Sequence, residues 1–181
     1  MAKKTGKAHS GLAQKPGLLP LVLAGIIIIS MLASSVFTMS EALYVFVNLP
    51  QAPLIVMLGL AKVASSVLPV IVGLVVFLSA QGGKLRKLVV AAVYIGIYWL
   101  AKSIFAAFVP TFAIGTSIFG EEFYRNSGIN FFLEYAFGAI VAFIVYFVTK
   151  KRTMKLNRVT VYFLILSTIL LLIGTLGYFL R

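Results

Sequence analysis

Cysteine and aspartate are absent from this 181-residue chain, and its one histidine is His9, in a basic N-terminal tail. Without cysteine there are no disulfides, thiolate metal sites, iron–sulfur clusters or thiol nucleophiles, and the redox compartment is left open. A lone histidine in a tail cannot build a multi-histidine metal site or a membrane-embedded triad. The acids are only Glu41, Glu121, Glu122 and Glu134. Of these, Glu121 and Glu122 are the one adjacent pair, and neighbours in sequence do not face each other across a substrate. No P-loop or dinucleotide-binding glycine pattern occurs, and Gly82-Gly83 reads as a turn. These gaps argue against an enzyme and predict no metal and no cofactor.

Charge is also scarce. Charged residues make up 11% of the chain, against about 25% in ordinary globular proteins. Hydrophobic residues make up 61%, and the mean hydropathy is +1.08. A soluble fold of this size cannot hide so much apolar surface. The composition predicts an all-α, polytopic transmembrane bundle.

Apolar runs of about 20 residues define the spans. Five are predicted, at about 18–39, 52–80, 88–109, 131–149 and 159–180, following a basic tail over 1–17. The tail resembles a signal-peptide n-region, but the run after it exceeds the 7–15 residues of a signal core. It is therefore read as a retained helix. None of the spans alternates polar and apolar residues as the strands of a β-barrel do. No linker divides the chain, and 18–181 reads as one membrane domain. The tripeptides Leu60-Ala61-Lys62 and Leu100-Ala101-Lys102 match, without a longer repeat.

Basic residues fix the expected orientation. The net charge is +12, and twelve of the sixteen Lys and Arg fall in the tail, the 81–87 loop and the 150–158 loop. The positive-inside rule places these three segments in the cytoplasm, with the N-terminus inside and the C-terminus outside. A six-helix alternative splits the second region into 42–61 and 63–80. It would bury Asn48, Pro50, Gln51 and Pro53 and reverse the charge rule. The stretch 40–51 is instead expected to be an external connection, and 110–130 an amphipathic segment on the bilayer, using Phe112, Ile118, Phe119, Phe123 and Tyr124. The short basic tail and simple topology suggest a bacterial cytoplasmic membrane.

Charges inside spans are the strongest functional pointers, since each costs about 2.5–3.5 kcal/mol to insert at a helix centre. Lys62, Lys102 and Glu134 are the candidates. At about 1.5 Å per residue they lie roughly 15, 10 and 5 Å from the external boundary. Three helices thus bring charge to the same half of the membrane. One carboxylate for two lysines leaves an excess positive charge, suited to an anionic headgroup, a small anion or a partner's carboxylate. The structural alternative is snorkelling and helix pairing. Ser65 and Ser66 make the Lys62 face polar, and Lys62 with either serine has the spacing of a Ser–Lys dyad. Tyr98, one turn before Lys102, offers it a hydroxyl or a ring face.

Small residues four apart permit close helix approach, as at Ser30 and Ser34, Ala61 and Ser65, Ala92 and Gly96, and Gly138 and Ala142. Trp99, far from the interfacial belt, is expected to pack inside the bundle. Lys84, Arg86, Lys87, Lys150, Lys151 and Arg152 are expected to meet anionic lipid headgroups. Their loops are too short to predict nucleic-acid binding. The expected function is a non-enzymatic membrane subunit or accessory factor that binds other membrane proteins, further copies of itself, or lipids of the bilayer. The alternative is a small transporter or substrate-binding component with an outer-half polar cavity.

Overall fold

The computed structural model describes residues 16–48, 53–108, 121–149 and 158–179. They form five helices and, among the described residues, no strand. The helices are α1 (Leu18–Asn48), α2 (Pro53–Ser79), α3 (Lys84–Phe108), α4 (Glu121–Thr149) and α5 (Arg158–Phe179). Four are long and apolar enough to cross a membrane, through Leu18–Tyr44, Gly59–Ser79, Lys84–Phe108 and Phe132–Thr149. The apolar part described for α5, Arg158–Ile173, is shorter. Large apolar side chains such as Ile29, Leu78, Phe147 and Ile173 stand well exposed on the outside of the bundle. In water such a surface would aggregate; in lipid it is the solvent-facing side.

Two boundaries differ from the sequence expectation. α1 does not stop near Met39 but runs on to Asn48, so 40–48 is helix and not connection. No glycine or proline interrupts the chain between Ser40 and Leu49, and Pro50 is the first residue that could not continue a helix. α4 starts at Glu121, taking in half of the segment expected to be a loop. Phe123 and Tyr124 therefore belong to the first turn of α4, while Phe112, Ile118 and Phe119 lie outside the described residues. α2 is continuous across Lys62, which removes the six-helix alternative.

α3 is the centre of the bundle and touches each of the other four helices. Its two faces serve two cores. Val90, Ala91, Tyr94 and Tyr98 pack with Val72 and Val76 of α2 and with Tyr135, Ala139, Ala142 and Tyr146 of α4. Val89, Ala92, Val93 and Ile95 pack with Leu23, Ala24, Ile27 and Met31 of α1 and with Leu164 and Leu171 of α5. Trp99 rests against both cores.

Lipid gives helices no hydrophobic reason to associate, so close backbone approach must hold them. A Cβ on Gly138 would stand 2.9 Å from the Tyr98 carbonyl oxygen, so α4 and α3 meet there backbone to backbone. A Cβ on Gly96 would stand 2.5 Å from Ser167 Oγ of α5. Ala61, Ser65, Ala92 and Ala142 are buried as well. Three of the four small-residue pairs thus pack within the bundle, while Ser30 and Ser34 are only half-buried.

A tight turn joins α2 to α3. Ala80 N–H donates to the Val76 carbonyl at 2.8 Å, and Lys87 N–H donates to Gly83 at 3.0 Å. Between them Gly82 adopts φ +109°, a left-handed conformation open to glycine. The Arg86 side chain lies over it, and a Cβ there would stand 2.8 Å from Arg86 Cδ.

Candidate functional site

Lys62, Lys102 and Glu134 gather with Glu41 toward the end of the bundle where α1 closes and α2 begins. Lys62 Nζ of α2 donates to Glu41 Oε2 of α1 at 2.6 Å, forming an ion pair. This pairing changes the expected charge balance. Glu41 enters the bundle because α1 is nine residues longer than its predicted span, and it supplies a second carboxylate. The excess positive charge expected from Lys62, Lys102 and Glu134 is thereby cancelled.

Ser65 and Ser66 are buried, and their hydroxyls donate to the carbonyls of Lys62 and Val63, each at 2.7 Å. Ser66 Oγ also lies 3.7 Å from Met39 Sδ of α1. One turn on, Pro69 sits inside α2 and has no N–H for the Ser65 carbonyl. Serine back-bonding beside a proline is how a membrane helix satisfies a disturbed hydrogen-bond ladder. Among the described residues neither serine hydroxyl is bonded to the Lys62 ammonium, which is committed to Glu41.

Lys102 has a different environment. Its Nζ stands 4.0 Å from the ring centroid of Tyr135 and 4.8 Å from that of Trp99. The two rings are 6.4 Å apart and near perpendicular, forming a corner that faces the ammonium. Trp99 comes one helical turn before Lys102, and Tyr135 comes across from α4. The expected Tyr98 contact is thus made by its neighbours. Tyr98 is fully buried behind them, edge-on to Trp99 with centroids 5.8 Å apart. Glu134 and Lys102 interact electrostatically. Tyr135 feels the charges of both Glu134 and Glu41, which places the Lys62–Glu41 pair and the Lys102 corner in one polar neighbourhood. Sequence reading missed Glu41 and Tyr135. The unbroken helical stretch after Ser40 was the available signal for the first, and Tyr135 beside Glu134 for the second.

Buried donors remain in this neighbourhood. Among the described residues, the Tyr98 hydroxyl and the Trp99 indole N–H have no hydrogen-bond partner.

The opposite end of the same helices is held by neutral groups. Tyr146 of α4 and Ser79 of α2 share a hydrogen bond at 2.6 Å. Tyr94 of α3 bonds to Thr149 of α4, whose hydroxyl also donates to the Val145 carbonyl at 2.6 Å. The Tyr94 and Tyr146 rings meet edge to face at 5.2 Å. Of the expected lipid-contacting residues, Lys84 is exposed and Lys87 half-buried. Arg86 is 5% exposed, and its side chain lies over Gly82. Lys150, Lys151 and Arg152 lie outside the described residues. Among the described residues there is no group of three or more His, Cys, Asp or Glu able to hold a metal ion.

Helices of this length and apolarity, around a sparse polar interior, define a multi-pass helical membrane protein. No protein-family model matches the chain, and neither a curated protein nor a solved structure does.

Proposed function

We propose that this protein is a non-enzymatic integral membrane subunit or accessory factor that binds other membrane proteins or lipids. The observation that carries the reading is the uneven burial of its spans. α3 has 56% of its span buried, whereas α1 has 17%. A 31-residue helix is thus anchored by one narrow stripe and offers most of its circumference to neighbours in the bilayer. Its anchoring uses the polar side chains a catalyst would need: Glu41 and Lys62 hold each other, and Ser65 and Ser66 serve the backbone. The reading includes the positive-inside orientation, a fifth span in α5, and a bacterial cytoplasmic membrane.

Extraction in a mild detergent followed by native mass spectrometry tests it. A second protein or a retained lipid in fixed stoichiometry is expected. A bare chain without either would overturn the reading.

A small transporter is the second reading, favoured by Lys102, which holds a buried cation on aromatic rings. Loss of uptake in Lys102→Ala, with an unchanged melting temperature, would put the second reading in place of the first.

A further inference from the structure

We propose that the C-terminal half of α1 and the N-terminal half of α2 form one rigid hairpin. It swings on a hinge through Ser34, Ser35 and Pro69 and so opens and closes the charged end of the bundle. The inference goes beyond the binding reading above and does not depend on which molecule is bound.

Packing divides the molecule at that level. The two cores take residues of α1 up to Met31 and residues of α2 from Leu68 onward. Among the described side chains, none from Leu32 to Val47 of α1 and none from Gly59 to Val67 of α2 belongs to either core. These stretches pack on each other instead. Lys62 pairs with Glu41 at 2.6 Å, and Ser66 Oγ lies 3.7 Å from Met39 Sδ. The Phe46 ring covers Gly59, where a Cβ would stand 2.7 Å from its Cζ. All three contacts run in one antiparallel register. It sets Ala42 opposite Ala61, both buried. It also sets Ser34 and Ser35 of α1 level with Pro69 and Val70 of α2.

Both helices are weak at that level. Pro69 leaves the Ser65 carbonyl without its helical N–H, and the hydroxyls of Ser65 and Ser66 back-bond to Lys62 and Val63. In α1 the Thr38 hydroxyl back-bonds to the Ser34 carbonyl at 2.9 Å. Prolines, serine pairs and side chains that enter the hydrogen-bond ladder are where helices bend. Ser35 Oγ is buried and, among the described residues, has no hydrogen-bond partner. The arrangement therefore leaves a polar group unsatisfied at the hinge itself. A bend in one helix alone would be resisted by its neighbour, whereas two bends at one level let both turn together.

Charge makes the hairpin move as a unit. Sliding α1 past α2 would pull Lys62 from Glu41 and leave two lone charges among apolar side chains, which a membrane penalises. A swing about the common level carries the pair intact. Glu41 also acts on Tyr135 of α4, whose ring holds Lys102. The swing thus carries the hairpin's carboxylate toward that group or away from it.

The chain has no cysteine, so introduced pairs can be spin-labelled in the full-length protein, in nanodiscs of phosphatidylcholine. All sites chosen are exposed. Leu43→Cys with Leu60→Cys reports within the hairpin. Leu60→Cys with Ile140→Cys reports between the hairpin and α4. Ile140→Cys with Leu166→Cys reports within the rest of the bundle. At about 1.5 Å per residue Leu60 stands roughly 13 Å beyond Pro69, so about 20° of bending moves it about 5 Å. Electron paramagnetic resonance is expected to give the Leu60–Ile140 pair two distances, or one broadened by that amount. The other two pairs are expected to give a single narrow distance each. Pro69→Ala restores the missing N–H and is expected to leave Leu60–Ile140 with one narrow distance and Leu43–Leu60 unchanged.

A narrow Leu60–Ile140 distance in the parent overturns the proposal and leaves a fixed kink. A Leu43–Leu60 distribution as broad as that of Leu60–Ile140 also overturns it, because the two helices would then move separately. So does a broad Leu60–Ile140 distribution that Pro69→Ala leaves unaltered. Should that variant fail to fold, the parent distances decide alone. Copurification with a partner or lipid is read separately, so the hinge and the subunit reading stand or fall independently.

Discussion

The bundle is tied together at both ends, and the two ends use different chemistry. At the α1–α2 end the ties are ionic and aromatic: Lys62 on Glu41, and Lys102 on Tyr135 and Trp99. At the α2–α3 turn they are neutral: Tyr146 with Ser79, and Tyr94 with Thr149. The neutral end satisfies its hydroxyls internally, because each tyrosine meets a hydroxyl that also bonds a backbone carbonyl. At the charged end the Tyr98 hydroxyl and the Trp99 indole N–H are without a partner among the described residues, while the turn end also buries a charge, Arg86.

The sharpest break is expected at the ion pair. Glu41→Gln leaves Lys62 charged inside the bundle with a neutral partner. A loss of about 2–4 kcal/mol is expected, seen as a lower thermal midpoint in detergent. Adding Lys62→Met should restore most of that loss, and a double variant as unstable as the single one would deny the pairing. Gly138→Ala comes next. Its methyl group would press on the Tyr98 carbonyl and ring between the two ends, and overpacking of this kind costs about 1–3 kcal/mol. Chemical unfolding in mixed micelles would measure it, and a neutral result would deny the close α3–α4 contact.

At the neutral end Tyr146→Phe removes one hydroxyl and leaves Ser79 its backbone bond. A loss of about 1 kcal/mol is expected. If it matched Glu41→Gln, the contrast between the ends would disappear. The smallest effect belongs to Tyr98→Phe, which deletes a hydroxyl without a partner. Stability should rise slightly, by up to about 1 kcal/mol, because the buried hydroxyl carries an unrelieved desolvation cost; a loss would reveal a buried partner such as water.

Much of this was legible in the chain. Apolar runs gave the helix number, and depth arithmetic brought Lys62, Lys102 and Glu134 to one end. What escaped reading were partners far apart in sequence. Glu41 meets Lys62 across 21 residues, Tyr94 meets Thr149 across 55, and Ser79 meets Tyr146 across 67. Periodicity says which residues share a helix but not which face another helix presents to them. Glu41 was misplaced for a further reason. A charge at the end of an apolar run reads as a boundary, although a helix keeps it once another helix supplies the counter-charge. Trp99 was expected inside the bundle and lies there, but its part in holding Lys102 depends on Tyr135 arriving from α4.

The central position of α3 also sets an order of assembly. A chain made from its N-terminus can pair α1 with α2 as soon as both have entered the bilayer. α3 then has one face that waits for α4 and another that waits for α5. Until the last helix emerges, Gly96 and its neighbours present a narrow notch to lipid, shaped for Ser167 and Phe163. The nascent protein is therefore an incomplete bundle for as long as translation takes to travel from Phe108 to α5. During that interval the notch is open to helices of other proteins entering the same membrane.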